Sequence, residues 1–185
     1  MPPPQQILTW LRQRYPKPTV DPAWLDACLE WMAAEHQLNN MDTQAAEIIS
    51  QVETQLLNSD LRDSMTKNTG FPPNIDKAED TRLWGNTLVQ VLAITEIGHS
   101  AFSLQNTRQM RIDRADLAGL TVENEDEEDG GPIPKYPRSM LRFDLSDGSQ
   151  TLRAIEYRKL PELELGVTPL GYKVRKFNKG TLSLG

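Results

Sequence analysis

The sequence predicts an α+β chain: an N-terminal three-helix bundle, a connector, and a small β-barrel that carries a long insertion after its first strand. Three observations predict it. Apolar residues recur at steps of three and four as far as about residue 57 and at steps near two from Leu83 onward, so the period changes once along the chain. Residues 64–80, SMTKNTGFPPNIDKAED, hold Gly70, Pro72 and Pro73 without periodicity and separate the two regimes. Residues 141–157, LRFDLSDGSQTLRAIEY, read as two strands joined at Asp147-Gly148, a dipeptide that favours a tight hairpin turn.

The elements follow in order. In residues 5–14, QQILTWLRQR, Ile7, Leu8, Trp10 and Leu11 share helical spacing, and Pro16 and Pro18 stop the pattern. A second helix starts at VDPAWLDACLEWM, where Asp21 can accept from the free first-turn amides, Pro22 suits the first helical position and Val20 can pack on Leu25. Along it Trp24, Cys28, Trp31 and Met32 form an apolar stripe that calls for burial. A third helix, about 42–57, repeats the spacing at Ala45, Ile48, Ile49, Val52 and Leu56. Three helices with short connections make a small bundle over residues 1–63.

Residues 64–82 are expected to be a connector and 83–185 the barrel. LWGNTLVQVLAITEI reads as a first strand, residues 139–146 and 151–158 as a second and third, YKVRKFN as a fourth, and TLSL as a fifth. In the second strand Leu141, Phe143 and Leu145 share one face and Arg142, Asp144 and Ser146 the other, as in a sheet with one wet side. In the third, Leu152 and Ala154 give way to Ile155 and Tyr157, a parity change expected of a bulge that curls the sheet. Short, bent strands with one long excursion point to a small closed barrel, the OB-fold being the most economical, with an open meander as the alternative.

The excursion, about residues 98–138, is far longer than the connections of a compact domain, and it is read as a functional or disordered loop. Its first half mixes Arg108, Arg111 and Arg114 with Phe102, Leu104, Met110, Ile112, Leu117 and Leu120; its second half, ENEDEEDGGPIPKYP, is acidic and then rich in Gly and Pro. Apolar side chains on a loop without an evident core imply a surface that faces a partner. The acidic run at 123–129 reads as a solvated tract that can also keep the loop off DNA or hold it beside a basic partner.

Composition excludes several functions. The formal net charge of -6 and pI near 5.0 leave no overall basic field for nucleic acid. One cysteine, Cys28, rules out an internal disulfide and a Cys-rich zinc site, and His36 and His99 lie far apart, so neither a metal nor another cofactor is expected. No apolar run is long enough for a membrane span, and Met1-Pro2-Pro3-Pro4 does not open a signal peptide, so a soluble, unsecreted protein without a small-molecule ligand is expected.

Candidate chemistry is thin. Asp144, Asp147 and Glu156 could be imagined as hydrolase carboxylates, but Asp147 before Gly148 serves a turn. Cys28 on a helical stripe reads as a buried, inert thiol. The GGP at 130–132 lacks the lysine and the strand-helix context of a phosphate loop. Lys173, Arg175, Lys176, Phe177 and Lys179 supply four charges and one ring, the little that supports the alternative reading, a single-stranded DNA binding barrel.

Four segments, WLDACLEWM at 24–32, LLNSDLRD at 56–63, LRFDLSDGSQTLRAIEY at 141–157 and TPLGYKVRKFN at 168–178, occur in an order that resembles the N-terminal region of the RecQ-mediated genome instability protein 1 family, of fungal type. The long insertion favours this family over a related tudor-domain family, whose insertion is expected to be short. The resemblance implies a nuclear, non-enzymatic adaptor. Its partners would be topoisomerase III, of type IA, and a RecQ helicase, with DNA contacted weakly or indirectly, and its role the dissolution of double Holliday junctions. It further implies that the barrel docks on the topoisomerase while the insertion, roughly 103–137, reaches the enzyme's DNA gate and favours decatenation. On that basis Lys173, after Gly171, is expected to be an exposed lysine that pairs with a partner carboxylate, with Arg142, Arg175 and the apolar insertion residues Phe102, Leu104, Met110, Ile112, Leu117 and Leu120 beside it. Two departures stand out. Pro169-Leu170-Gly171 replaces the family's Pro-Pro-Gly turn, and the chain stops at TLSLG where a last strand is expected, as in a fragment of a longer protein.

Overall fold

The structure, a computed structural model, describes residues 5–35, 41–78, 83, 85–120 and 133–176. His36, the acidic run at 123–129, the GGP at 130–132, Phe177, Lys179 and the expected fifth strand lie outside them, as do the side chains of Leu117, Leu120 and Lys176.

Helices α1 (Gln5–Arg14), α2 (Pro22–Glu35) and α3 (Met41–Asn58) bury one apolar cluster, with Ile7, Leu11, Leu25, Cys28, Met32, Ile48, Val52 and Leu56 at its centre. The start of α2 follows from Asp21, whose carboxylate accepts the amides of Ala23 at 2.8 Å and Trp24 at 3.2 Å. The stripe on α2 differs from expectation: it runs through Leu25, Cys28 and Met32, while Trp24 is half-buried and Trp31 is 42% exposed. One step of helical phase separates the two readings, and the smaller side chains take the interior. A short helix α4 (Leu61–Ser64) follows, unforeseen because four residues are too few to show a period.

Strands β1 (Thr87–Glu96), β2 (Leu141–Ser146), β3 (Thr151–Ile155) and β4 (Lys173–Lys176) form an antiparallel sheet in the order β3-β2-β1-β4. Leu141 and Phe143 are buried and Arg142, Asp144 and Ser146 are wetter, as the alternation of β2 requires. Asp144 faces Arg153 of β3, its register partner, at 3.6 Å.

The expected bulge is elsewhere. The register shift falls between Val91 and Ala93 of β1, and Leu92 is left on the outside. Strand β3 keeps its alternation, since Leu152, Ala154 and Glu156 all point inward. A buried carboxylate at the third inward position made an ordinary strand look as if it changed parity.

The stretch expected to be a connector is held at several points. Met65 bridges Val20, and Phe71 and Ile75, the latter in a 3-10 turn at Ile75–Lys77, are buried with Val89 and Leu152 under the sheet. Gly and Pro broke the period there without removing the two apolar anchors.

The sheet is joined to the helices along the first half of β1, which is buried on both faces. Leu88 enters the helical cluster, while Val89 and Val91 enter the cores under the sheet. The Leu88 amide donates to the Lys17 carbonyl at 2.7 Å, and the buried Gln90 side chain accepts the Leu61 amide, one of the free donors at the start of α4, at 3.0 Å.

The hairpin between β2 and β3 completes the junction. Asp147, 1% exposed, accepts the amides of Ser149 at 2.8 Å and Gln150 at 2.7 Å within the turn, and that of Phe71 at 2.6 Å across it. Gly148 sits at φ +93 against the Leu61 carbonyl, where a methyl group would overlap backbone. Gly148→Ala is therefore expected to cost about 2–3 kcal/mol, from the left-handed backbone and the clash together. Urea unfolding read by circular dichroism checks this, and a midpoint unchanged from the parent would count against the docked turn.

Candidate functional site: a clamped insertion beside the barrel

The residues after β1 form helix α5 (Ala101–Leu120) where a loop was expected. Ser100 starts it, with its hydroxyl accepting the Ser103 amide at 3.2 Å. Apolar residues are spread around its circumference, so no stripe announced the helix. The half-buried or buried positions are Ser103, Leu104, Thr107, Arg111 and Arg114, which share one side at steps of three and four. Phe102 is 72% exposed, Met110 51% and Ile112 41%.

Both ends of the insertion are held by buried carboxylates. Glu96, the last residue of β1, accepts the amide of Gly98 at 2.6 Å on the outgoing limb and those of Ser139 at 2.9 Å and Met140 at 3.2 Å on the returning limb. Glu156 takes a two-pronged contact from Arg138, at 2.5 and 2.7 Å, together with the amides of Leu141 at 3.1 Å and Leu160 at 2.6 Å. Arg138 also reaches the carbonyls of Leu160 at 3.4 Å and Leu163 at 3.5 Å. Each carboxylate thus ties together chain segments that are distant in sequence.

Their ionisation is set by these contacts. Burial opposes the charge on Glu96, but the amides of Ser139, Gly98 and Met140 outweigh it and hold its pKa below the ordinary value. For Glu156 the Arg138 guanidinium dominates, desolvation opposes it, and the Leu160 and Leu141 amides add to the lowering.

Of the basic residues expected to face a partner, Lys173 and Arg175 make contacts within the chain. Lys173 is half-buried, and its ammonium donates to the Gly171 carbonyl at 2.8 Å. Burial pushes its pKa below the usual lysine value while Asp60, in the helical region, opposes that shift. Arg175 donates to the Arg14 carbonyl at the end of α1 at 3.4 Å, where a cation suits the helix C-terminus. Both read as exposed in the sequence because a four-residue strand says nothing of what lies across it. Arg142 is half-buried on the wetter face of β2, opposite Thr95 and Ile155. Leu104 is half-buried, and Leu117 and Leu120 lie on α5.

No hydrolase arrangement forms among the three carboxylates considered. Asp144 pairs with Arg153, Asp147 closes its turn and Glu156 clamps the insertion. Cys28 is buried, and burial pushes its thiol pKa upward, away from reactive thiolate. His99 is exposed. Among the described residues no group of three His, Cys, Asp or Glu is placed to hold a metal ion, and no helix is long and apolar enough to cross a membrane.

These features define a class: an OB-fold protein with an N-terminal helical domain docked on its first strand and a long insertion following that strand. The comparisons agree. Residues 71–175 match the family model described as RMI1, N-terminal OB-fold domain, and residues 11–64 match RMI1, N-terminal helical domain. The chain belongs to the RMI1 family, in its N-terminal region. It is 30% identical over 182 residues, 98% of the chain, to RecQ-mediated genome instability protein 1 of Danio rerio, covering 33% of that protein. The corresponding protein of Xenopus laevis is 30% identical over 164 residues, 89% of the chain and 28% of the relative. That of Mus musculus is 29% identical over 164 residues, 89% of the chain and 25% of the relative. The chain therefore spans between a quarter and a third of the length of these relatives.

The clamp makes two expectations. A carboxylate whose folded pKa is depressed adds stability above its unfolded pKa, about 4.3, and loses that contribution as pH falls through the folded value. Stability measured by urea unfolding from about pH 6 down to about pH 3 is thus expected to fall more steeply in the parent than in Glu156→Gln. Equal slopes would contradict the assignment. Glu156→Ala, which strands Arg138 and two amides, is expected to cost about 3 kcal/mol at neutral pH, and an unfolding free energy within error of the parent would argue against the clamp.

Proposed function

We propose that the chain is a nuclear, non-catalytic adaptor in genome maintenance, a reading that the names of its relatives support as far as genome maintenance and the RecQ pathway, and that it binds topoisomerase III within a RecQ helicase complex and promotes decatenation and double Holliday junction dissolution. The observation that carries this reading is the insertion itself. It departs from the sheet between two buried carboxylate clamps and exposes Phe102, Met110 and Ile112 beyond them. Exposed apolar side chains on a firmly rooted projection favour protein contact over chemistry.

The mechanism needs no reacting group. If the insertion binds the open gate of the topoisomerase better than the closed one, it shifts the gate's population by the difference in affinity and no more. In this reading the sheet supplies the dock, with Arg142 on its wetter face, and the helical domain buttresses β1. Arg175 contributes by tying β4 to the end of α1, and Lys173 by closing on the Gly171 carbonyl just before β4, which makes them supports of the docking surface. That inward use also weakens the alternative of a single-stranded DNA binding barrel, since two of its candidate charges are engaged within the chain.

The test is co-elution with topoisomerase III and a decatenation assay, using the chain and a version in which residues 104–136 are replaced by a short Gly/Ser linker. Both are expected to co-elute, and only the intact chain to raise decatenation. Failure of both to bind would remove the adaptor reading, while DNA affinity falling steeply with salt in the absence of the enzyme would favour the barrel as a nucleic-acid module.

A further inference from the structure

Beyond the clamps, and beside the packed side of α5 at Leu104 and Thr107, one side chain of α5 makes unusually directed contacts with the returning limb. Arg111 donates to the Pro134 carbonyl on the returning limb at 2.9 Å, and its guanidinium lies 5.1 Å from the centre of the Tyr136 ring, the geometry of a cation–π contact. The Tyr136 ring in turn lies against Gly166, in the connection between β3 and β4. Gly166 has φ +75, and a methyl group added there would come within 2.6 Å of the ring. The same connection carries Glu164, which faces Lys135 at 3.6 Å, and Leu163, which is buried in the core with Val91, Leu141 and Phe143. A physical path thus runs from the middle of α5 through Arg111 and Tyr136 to a glycine whose lack of a side chain leaves room for the ring.

The clamps at Glu96 and Glu156 fix where the insertion leaves and rejoins the sheet, and Leu104 and Thr107 pack its first two turns, but a helix of 20 residues held only in its first turns can still swing. A contact at about the midpoint of the helix removes that freedom. We infer that Arg111 and Tyr136 are positioning residues, which seat α5 on the connection between β3 and β4 and so fix the direction in which Phe102 and Met110 are presented to a protein partner. The inference rests on the adaptor reading above and deepens it, by naming the residues that set the pose of the insertion. Gly166 is part of the seat because any larger residue would push the ring away.

The variants are Arg111→Ala, which keeps helix propensity, Tyr136→Ala, and Tyr136→Phe, which keeps the ring. Hydrogen exchange of the 185-residue chain is read first, comparing the amides of α5 with those of α3 and the β2–β3 hairpin. Arg111→Ala and Tyr136→Ala are expected to speed exchange in α5 about tenfold, leaving α3 and the hairpin unchanged, and Tyr136→Phe to behave as the parent. The same proteins are then assayed with topoisomerase III. Co-elution is expected to survive in all, and the decatenation effect to fall in the two alanine variants and to be restored in Tyr136→Phe.

Unchanged exchange in α5 would overturn the inference outright. Faster exchange with full decatenation, while the linker replacement lowers it, would overturn the positioning role and leave the adaptor reading standing. A linker replacement without effect would remove the adaptor reading and this inference with it.

Discussion

The carboxylate of Glu156 is the contact on which the arrangement of the insertion depends. It occupies an inward position that an aliphatic residue would fill in an ordinary strand, and burying a charge there is tolerable only because Arg138 pairs with it and two amides satisfy its remaining lone pairs. The result joins the returning limb of the insertion, the start of β2 and the connection to β4 at one point. Glu96 does the same for the outgoing limb, so the chain closes a forty-residue excursion at its base with two side chains. Replacing either by an apolar residue would preserve volume and lose the register of the limbs.

The second constraint is the union of the two domains. Strand β1 lies between two cores, and three contacts to the helical region bracket it: Leu88 in the helical cluster, Gln90 on the Leu61 amide, and the Gly148 turn against the Leu61 carbonyl. Asp147 extends the hold to Phe71, whose ring seals the core on the other side. The insertion follows directly from the far end of β1. Its base is therefore referenced to the helical domain through β1, with the β2–β3 hairpin and Arg175 of β4 adding to the same hold.

Much of this was legible in the sequence, for local reasons. The start of α2 could be read because Asp21 and Pro22 act within one turn, and the hairpin because Asp147 and Gly148 satisfy the turn's own backbone. The wet face of β2 followed from simple alternation. What was missed depends on partners far away in sequence. Glu156 disguised the alternation of β3 because its partner, Arg138, lies on the insertion; Lys173 and Arg175 looked solvent-facing because Asp60 and the end of α1 lie more than a hundred residues earlier. Helix α5 was hidden for a different reason: its packed side is made of Ser103, Thr107 and Arg111 as much as of Leu104, so no apolar stripe marks it.

Clamped at Glu96 and Glu156 and seated through Arg111, the insertion is expected to hold one pose relative to the sheet before any partner arrives. Spin labels at Gln109→Cys on α5 and Thr151→Cys on β3, with the buried Cys28 left unlabelled, would report it through the distance between them in the isolated chain. A single narrow distance distribution is the expected result, and a broad one, spanning the swing of a helix tethered only at its ends, would contradict the claim.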